Sequence, residues 1–426
     1  MSELEPKLPS GWQSRRLKYV ASYNDDVLPE TTEDFAEIEY VEISDVSLTG
    51  GIEKTSRMFF HEAPSRARRR IRSGDILVST VRTYLKAIAA VPHADGNLVA
   101  STGFCVVRPH EDIDSGYLGW AIKSEPFVGE VVARSVGVSY PAINASELAT
   151  LKVALPPLQT QRRIAQFLDG RTAQIDALIE KKRALLDRLA EKRQALITRA
   201  VTKGLDPNAP MRDSGIDWLG DIPSHWEVVP LKRAVRYQEG PGIMAVDFRD
   251  EGVPLLRVAS VGGRYATLNG VSYLEPEMAR GKWGHFLTEV GDLLISASAT
   301  SGIVSEVTDE TANCIPYTGI IRVNPIESQS ESSFLRHLLV SDVFLSQIDQ
   351  LKAGSTIQHF GPYHLGLMTI AKPPTDEQRA IGDELDRRIE EIDKNASQMA
   401  DSISLMQEYR AAMITAAVTG KIAELI

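Results

Sequence analysis

The sequence predicts an α+β protein in which one unit is built twice: two duplicated domains of mixed strands and helices, separated by two long antiparallel coiled-coil helices and related by a pseudo-twofold axis. Three observations predict it. The chain matches itself at an offset of about 217 residues, each copy ends in a Pro-Pro pair followed by a long apolar stripe, and the two stripes carry opposite net charge.

At 426 residues the chain exceeds one ordinary core and suits two or three domains. Hydrophobic residues make up 43% and charged residues 24%, the composition of a folded globular protein rather than a disordered or fibrous one. No apolar run approaches the roughly 18 residues of a membrane span, and Met1 to Pro9 lacks the apolar core of a leader. A cytoplasmic protein with no membrane partner is expected. Cys105 and Cys314 occupy non-equivalent places in the repeat and read as small buried hydrophobes rather than a disulfide pair.

The offset is about 217 residues. LPSGWQSRRLK (Leu8 to Lys18) returns as IPSHWEVVPLK (Ile222 to Lys232), keeping Pro-Ser, Trp and Leu-Lys. GDILVS (Gly74 to Ser79) returns as GDLLIS (Gly291 to Ser296), an apolar run behind a Gly-Asp turn that reads as a buried strand. STGFCVVRP (Ser101 to Pro109) returns as YTGIIRVNP (Tyr317 to Pro325), LPPLQTQRRIAQFLD (Leu155 to Asp169) as KPPTDEQRAIGDELD (Lys372 to Asp386), and ALITRAVT (Ala195 to Thr202) as AMITAAVT (Ala412 to Thr419). The expected division is a first globular domain at 1–157, a central spacer helix at 158–204, a second globular domain at 205–373 and a C-terminal spacer helix at 374–426.

Both helices are signalled by the proline pair before them and by the lack of further Gly or Pro over some forty residues, Gly170 and Gly382 excepted. In the first, Ile164, Leu168, Ile175, Leu178, Ile179, Leu185, Leu186, Leu189, Leu196 and Ile197 recur at three- and four-residue steps. In the second, Ile381, Leu385, Ile389, Ile392, Ile403, Met406, Met413 and Ile414 do the same. A stripe of that length spans about 60 Å, too long for one small domain to cover, so the helices are expected to pair with each other. Segment 158–204 holds 11 basic and 5 acidic residues, whereas 374–426 holds 6 and 11; opposite charge favours the pairing.

The doubled PSxW openings at Pro9-Ser10/Trp12 and Pro223-Ser224/Trp226, the Gly-Asp strands and the PP-x3-Q-R-x-I helix starts resemble the specificity subunit of type I restriction-modification systems. The likeness covers essentially the whole chain. One departure is Thr160 before Gln161, where the family pattern and the second copy, at Glu377, carry Glu. The resemblance implies that each globular module is a target-recognition domain reading half of a split double-stranded DNA sequence, with the helices as spacer and docking platform. It also implies as partners two methyltransferase subunits, which methylate adenine N6 with S-adenosylmethionine, and restriction subunits, which use ATP and Mg2+. No cofactor is expected in this chain.

The residues themselves offer no catalytic constellation: no phosphate-binding Gly-x4-Gly-Lys-Ser/Thr loop, no Gly-x-Gly-x-x-Gly, and no Asn/Asp-Pro-Pro-aromatic motif, since Leu155 and Lys372 precede the proline pairs. His359 and His364 lack ligand-spaced companions for a metal. Asp75 and Asp292 read as turn caps.

A net charge of −10 means that any DNA surface must be assembled from local patches. The sharpest is Arg66, Arg68, Arg69, Arg70 and Arg72, suited to phosphates and to guanine; a solvated run or a partner contact is the alternative. Thr80, Arg82, Tyr84 and Lys86 follow, against Ser296, Ser298, Thr300 and Ser301 in the second copy. A further pair of loops is Ser135 to Tyr140, with Ser139 and Tyr140 as contacts, and Ala353 to His359, with Ser355, Thr356, Gln358 and His359. Gln suits adenine and hydroxyls suit several base edges, although a plain structural turn fits these loops equally. Two other readings stand beside DNA specificity: a coiled-coil scaffold that reads no sequence, and a self-contained methyltransferase-nuclease, which would need motifs this chain lacks.

Overall fold

The structure is a computed structural model that describes residues 8–297, 303–353 and 361–426. Contacts divide the chain into two compact units, Met1–Arg183 with Ala400–Ile426, and Ala184–Met399. Each unit therefore holds one globular module, the first part of one long helix and the last part of the other.

In the first unit an antiparallel sheet runs in the order Ala21–Tyr23, Phe104–Pro109, Ile76–Ser79, Ile88–Ala90. The strand Ile76–Ser79 is buried along its whole length, which explains its unbroken apolar run. Ile76 and Val78 face a core with Tyr117, Leu118, Ile122, Phe127 and Val131 of the helices Ser115–Lys123 and Glu125–Ala133. Leu77 points the other way, into a core with Val41, Leu98 and Ala100. Those last residues belong to a second sheet, ordered Ser56–Phe59, Glu37–Val41, Leu98–Ser101, Ala67–Arg70, whose two middle strands are parallel. A strand covered on both faces must be apolar at every position.

The second unit repeats the first sheet as Val235–Glu239, Ile320–Pro325, Leu293–Ser296, Val304–Glu306. Leu293 and Ile295 again face one core and Leu294 the other. The second sheet also returns, with the parallel pair Val253–Leu256 and Ile315–Pro316. In chain order, the helix Pro276–Trp283 and the turn Gly284–Phe286 come where the first unit has the arginine-bearing strand Ala67–Arg70, and no strand pairs beyond Ile315–Pro316 among the described residues.

The expected turn caps have a physical role. Asp75, 1% exposed, accepts from Arg72 N (2.7 Å) and from Nε and Nη2 along one edge of the Arg108 guanidinium (2.9 and 2.7 Å). Asp292 accepts from Glu289 N (2.9 Å) and from Asn324. Each aspartate closes its own turn and ties it to the neighbouring strand.

The long helices span Leu158–Lys203 and Thr375–Val418. The glutamine of each helix start is a clamp. Buried Gln161 accepts from Asp114 N (2.9 Å) and donates to Pro156 O (2.9 Å), while Gln378 accepts from Glu331 N (3.0 Å) and donates to Pro373 O (2.8 Å). In the first unit Ile164 and Leu168 of the first helix share a core with Met413, Ile414 and Val418 of the second. In the second unit Ile197 and Val201 share one with Ile381, Leu385 and Ile389. Start meets end in both, which is antiparallel pairing, and an arginine-aspartate pair crosses between the helices each time: Arg410–Asp176 at 2.9 Å and Arg193–Asp393 at 3.2 Å.

The apolar stripe is buried less evenly than a coiled-coil reading expects, because Leu178 and Leu185 stay 45% and 44% exposed. Two helices alone cover only a narrow seam. Helix ends are closed by glycines in the left-handed region, Gly204 (φ +74°) and Gly420 (φ +70°). An added Cβ on either would lie 3.3 Å from the ring of Trp226 or Trp12 respectively, so each PSxW tryptophan seats on the cap of the helix that follows the other module. Trp226 also donates to Glu377 (3.0 Å), the position that Thr160 takes in the first copy. Cys105 and Cys314 are buried and free, and burial pushes their thiols up to about 12 and about 11. Among the described residues no helix is long and apolar enough to cross a membrane.

Candidate nucleic-acid interface

The strand Ile76–Ser79 delivers the chain to Thr80, which is buried: its hydroxyl donates to Gly103 O (2.9 Å) and its carbonyl accepts from Ile143 N (2.9 Å). Thr80 therefore positions the loop rather than facing outward. Beyond it a single turn, Thr83–Leu85, is flanked by Arg82 (φ 50°, ψ 47°) and Lys86 (φ 52°, ψ 38°), both left-handed. That conformation costs a non-glycine residue about 1–2 kcal/mol. Buried Thr83 holds it, its hydroxyl donating to Ser135 Oγ (2.7 Å). As a result Arg82, Tyr84, Leu85 and Lys86 all stand exposed.

Ser135 opens the other loop singled out from the sequence, and in turn donates to Val131 O (2.7 Å). Val136 and Ala142 exchange both backbone hydrogen bonds (2.9 and 3.0 Å), closing a narrow hairpin. Its tip, residues 137–141, carries exposed Ser139 and Tyr140, and the Arg82 guanidinium lies 4.8 Å from the Tyr140 ring centroid. Two segments more than fifty residues apart thus form one surface with a cation stacked on an aromatic ring.

The arginine run sits differently. Arg66 pairs with Glu42 (2.8 Å) and donates to Tyr40 Oη (3.1 Å). Arg72 donates twice to Asp26 (3.0 and 2.5 Å), and Arg70 lies 4.0 Å from the same carboxylate. Arg68 stacks over Phe60 at 5.1 Å, and half-buried Arg69 has a buried Nε with no hydrogen-bond partner among the described residues. Much of the run's charge is therefore balanced internally. It still borders the loop, since Thr102 N donates to Arg66 O (2.8 Å) next to the Gly103 that holds Thr80.

In the second unit Ser296 is buried at its strand end. Ser298, Thr300, Ser301, Ser355, Thr356, Gln358 and His359 lie outside the described residues. A residue passed over in the sequence is Arg257, whose guanidinium stacks 4.2 Å from Tyr317 and 5.4 Å from Phe248. It opens the same short turn as Glu42 does in the first unit, so the repeat alignment there, acid against base, was the available signal. Val136 and Val138, exposed at the first hairpin, were also passed over, because an apolar residue in a loop carries no polar signature.

The family described as Type I restriction modification DNA specificity domain matches the chain twice, at residues 9–188 and 223–400. The chain is 26% identical over 296 residues to the type I restriction enzyme MjaVIII specificity subunit of Methanocaldococcus jannaschii, covering 68% of this chain and 66% of that relative. It is 25% identical over 219 residues to the EcoKI specificity subunit of Escherichia coli K12, covering 48% of this chain and 45% of that one. Among solved structures, a chain from work on complex assembly and conformational transition of the type I R-M system superposes with a TM-score of 0.80 at 25% identity, over 98% of this chain and 100% of that one. The HsdS subunit from Thermoanaerobacter tengcongensis shares the fold, with a TM-score of 0.56 at 24% identity over 99% and 100%. With both modules matched and the fold shared along its length, the chain belongs to the type I restriction-modification DNA specificity family.

Proposed function

We propose that the chain is the DNA sequence-specificity subunit of a type I restriction-modification complex, in which 1–157 and 205–373 each read one half of a bipartite double-stranded target while 158–204 and 374–426 set the gap and dock partners. The observation that carries this reading is a repeated frame with unrepeated outer elements. Sheets, Gly-Asp turns and glutamine clamps recur, whereas in chain order the arginine strand of one module gives way to a helix in the other. Two readers of different sequences need that combination: phosphate contacts position and base contacts specify.

In the first module Arg82, Tyr84, Lys86, Ser139 and Tyr140 form the contact surface, Thr80 supports it, and Arg66, Arg68, Arg69, Arg70 and Arg72 border it. In the second, Ser298, Thr300, Ser355, Thr356, Gln358 and His359 are the corresponding assignment, with buried Ser296 supporting them as Thr80 does in the first. The subunit performs no chemistry. Two methyltransferase subunits bring S-adenosylmethionine, restriction subunits bring ATP and Mg2+, and the assembly works in the cytoplasm. Exposed apolar residues on the long helices, Leu178, Leu405 and Tyr409 in the first unit and Leu185 in the second, support their docking role.

The test is to purify the chain with its methyltransferase subunit, expose DNA to the complex and map N6-methyladenine. A single split motif that changes in one half when residues 1–157 are exchanged for those of a relative is expected. Methylation without a bipartite motif would favour the scaffold reading.

A further inference from the structure

Val138 is fully exposed, Val136 79% exposed and Tyr140 64% exposed, all within five residues at the hairpin of the first module. Turn tips are ordinarily built from Gly, Asn, Asp, Ser or Pro, so two valines displayed to water call for a partner. The hairpin is braced rather than loose: the Val136–Ala142 pair closes its base, Ser135 ties it to Thr83, and Tyr140 lies under Arg82. Arg82 stands over the Tyr140 ring with no acidic partner among the described residues, and Lys86 is exposed at the other end of the same short turn. An apolar point flanked by exposed cations suits DNA. The major groove admits a two-stranded ribbon, and the thymine 5-methyl is the one apolar group on any base edge there.

We propose that this hairpin enters the major groove of the half-site read by the first module and that Val138 specifies an A·T pair by contact with the thymine methyl. Val136 covers the same methyl from the side, and the cations hold the flanking phosphates. The assignment rests on the bipartite DNA reading above and adds to it which base feature the first module selects by apolar contact.

The experiment uses the full chain in complex with its methyltransferase subunit and synthetic duplexes carrying the mapped target. Each thymine of the first half-site is replaced in turn by deoxyuridine, which removes only the methyl. At one position the wild-type complex is expected to bind about three- to fivefold more weakly. Val138→Ala, at a fully exposed site that cannot disturb folding, is expected to lose a similar factor on the thymine duplex and nothing further on the deoxyuridine duplex. Uracil substitutions in the second half-site change neither protein.

Equal loss by Val138→Ala on thymine and deoxyuridine duplexes would assign a wedge between base steps and overturn the methyl contact. No loss at any uracil position of the first half-site would overturn it as well. In both cases specific binding to the split target persists, so the underlying reading survives; absence of any preferred target would sink that reading instead.

Discussion

Gly382 faces Ser333: a Cβ added to the glycine would lie 2.6 Å from Ser333 Cβ and 2.9 Å from Phe334 N. At the same place in the first module the glycine has changed sides. There Gly116 faces Ala165, and an added Cβ on Gly116 would lie 3.3 Å from Ala165 Cβ. The short helix and the long helix approach too closely for two side chains, and each copy resolves the crowding from a different helix.

Gly382→Ala is therefore expected to destabilise the second unit by about 1–3 kcal/mol through overpacking, despite the better helix propensity of alanine. Adding Ser333→Gly should restore most of the loss by recreating the arrangement of the first copy. Gly170→Ala, with nothing near its Cβ, should instead stabilise by about 0.5–1 kcal/mol. Urea unfolding of the wild type and the three variants reads this; equal stability of the Gly382→Ala single variant and the double variant would refute the exchange.

Lys123 gives a pH signature. Burial, and then the Arg410 guanidinium, bring its ammonium down from the ordinary 10.5 to about 8. Between those values the unfolded chain binds the proton that the folded chain has shed, so stability rises with pH across about 8 to 10.5, and below 8 the penalty is complete. Lys123→Met should be more stable than wild type at pH 7, by on the order of 1–3 kcal/mol, with the advantage shrinking as pH climbs through that window. A pH-independent difference would be evidence against it.

The two basic patches should behave differently on DNA. Arg82→Ala is expected to weaken binding to the target by about tenfold. As a phosphate contact, its loss should also lower the slope of log affinity against log salt by about 1, whereas an unchanged slope with a relaxed first half-site would reassign Arg82 to a guanine edge. Arg72→Ala, whose charge is already taken by Asp26, should change affinity less than about threefold. Fluorescence anisotropy at several salt concentrations separates these outcomes, and the reverse order would transfer the contact role to the arginine run.

Lengthening both long helices together tests the spacer. Four residues inserted after Arg183 and four after Ala400 add about 6 Å, nearly two base-pair steps, and leave the Arg410–Asp176 and Arg193–Asp393 pairs intact in their own units. Methylation mapping should return the same half-sites with a wider gap. An unchanged gap would remove the ruler.

How far the sequence reached follows from the range of the forces involved. The long helices were legible because their signals are local: a proline pair, a stripe at three- and four-residue steps, an absence of glycine. The strand at Ile76–Ser79 was legible because burial on both faces leaves an apolar run. The fate of the arginine run was not, since Arg66 finds Glu42 and Arg72 finds Asp26 across 24 and 46 residues. Nor was the joining of Arg82 to Tyr140, which depends on the Thr83–Ser135 hydrogen bond, or the exchange between Gly116 and Gly382, which only the packing distance reveals.

The core that seats Trp12, Ile164 and Leu168 also contains Met413, Ile414, Ala417, Val418 and Leu425, while the second module closes its core with residues up to Ile389. On a ribosome, where chains emerge from the N-terminus at some 5–20 residues per second, the module made first is thus the one finished last. It must wait, with part of its apolar surface uncovered, while the second module is synthesised and completed. An order of translation opposite to the order of completion makes the first module the part of this protein most dependent on protection during its birth.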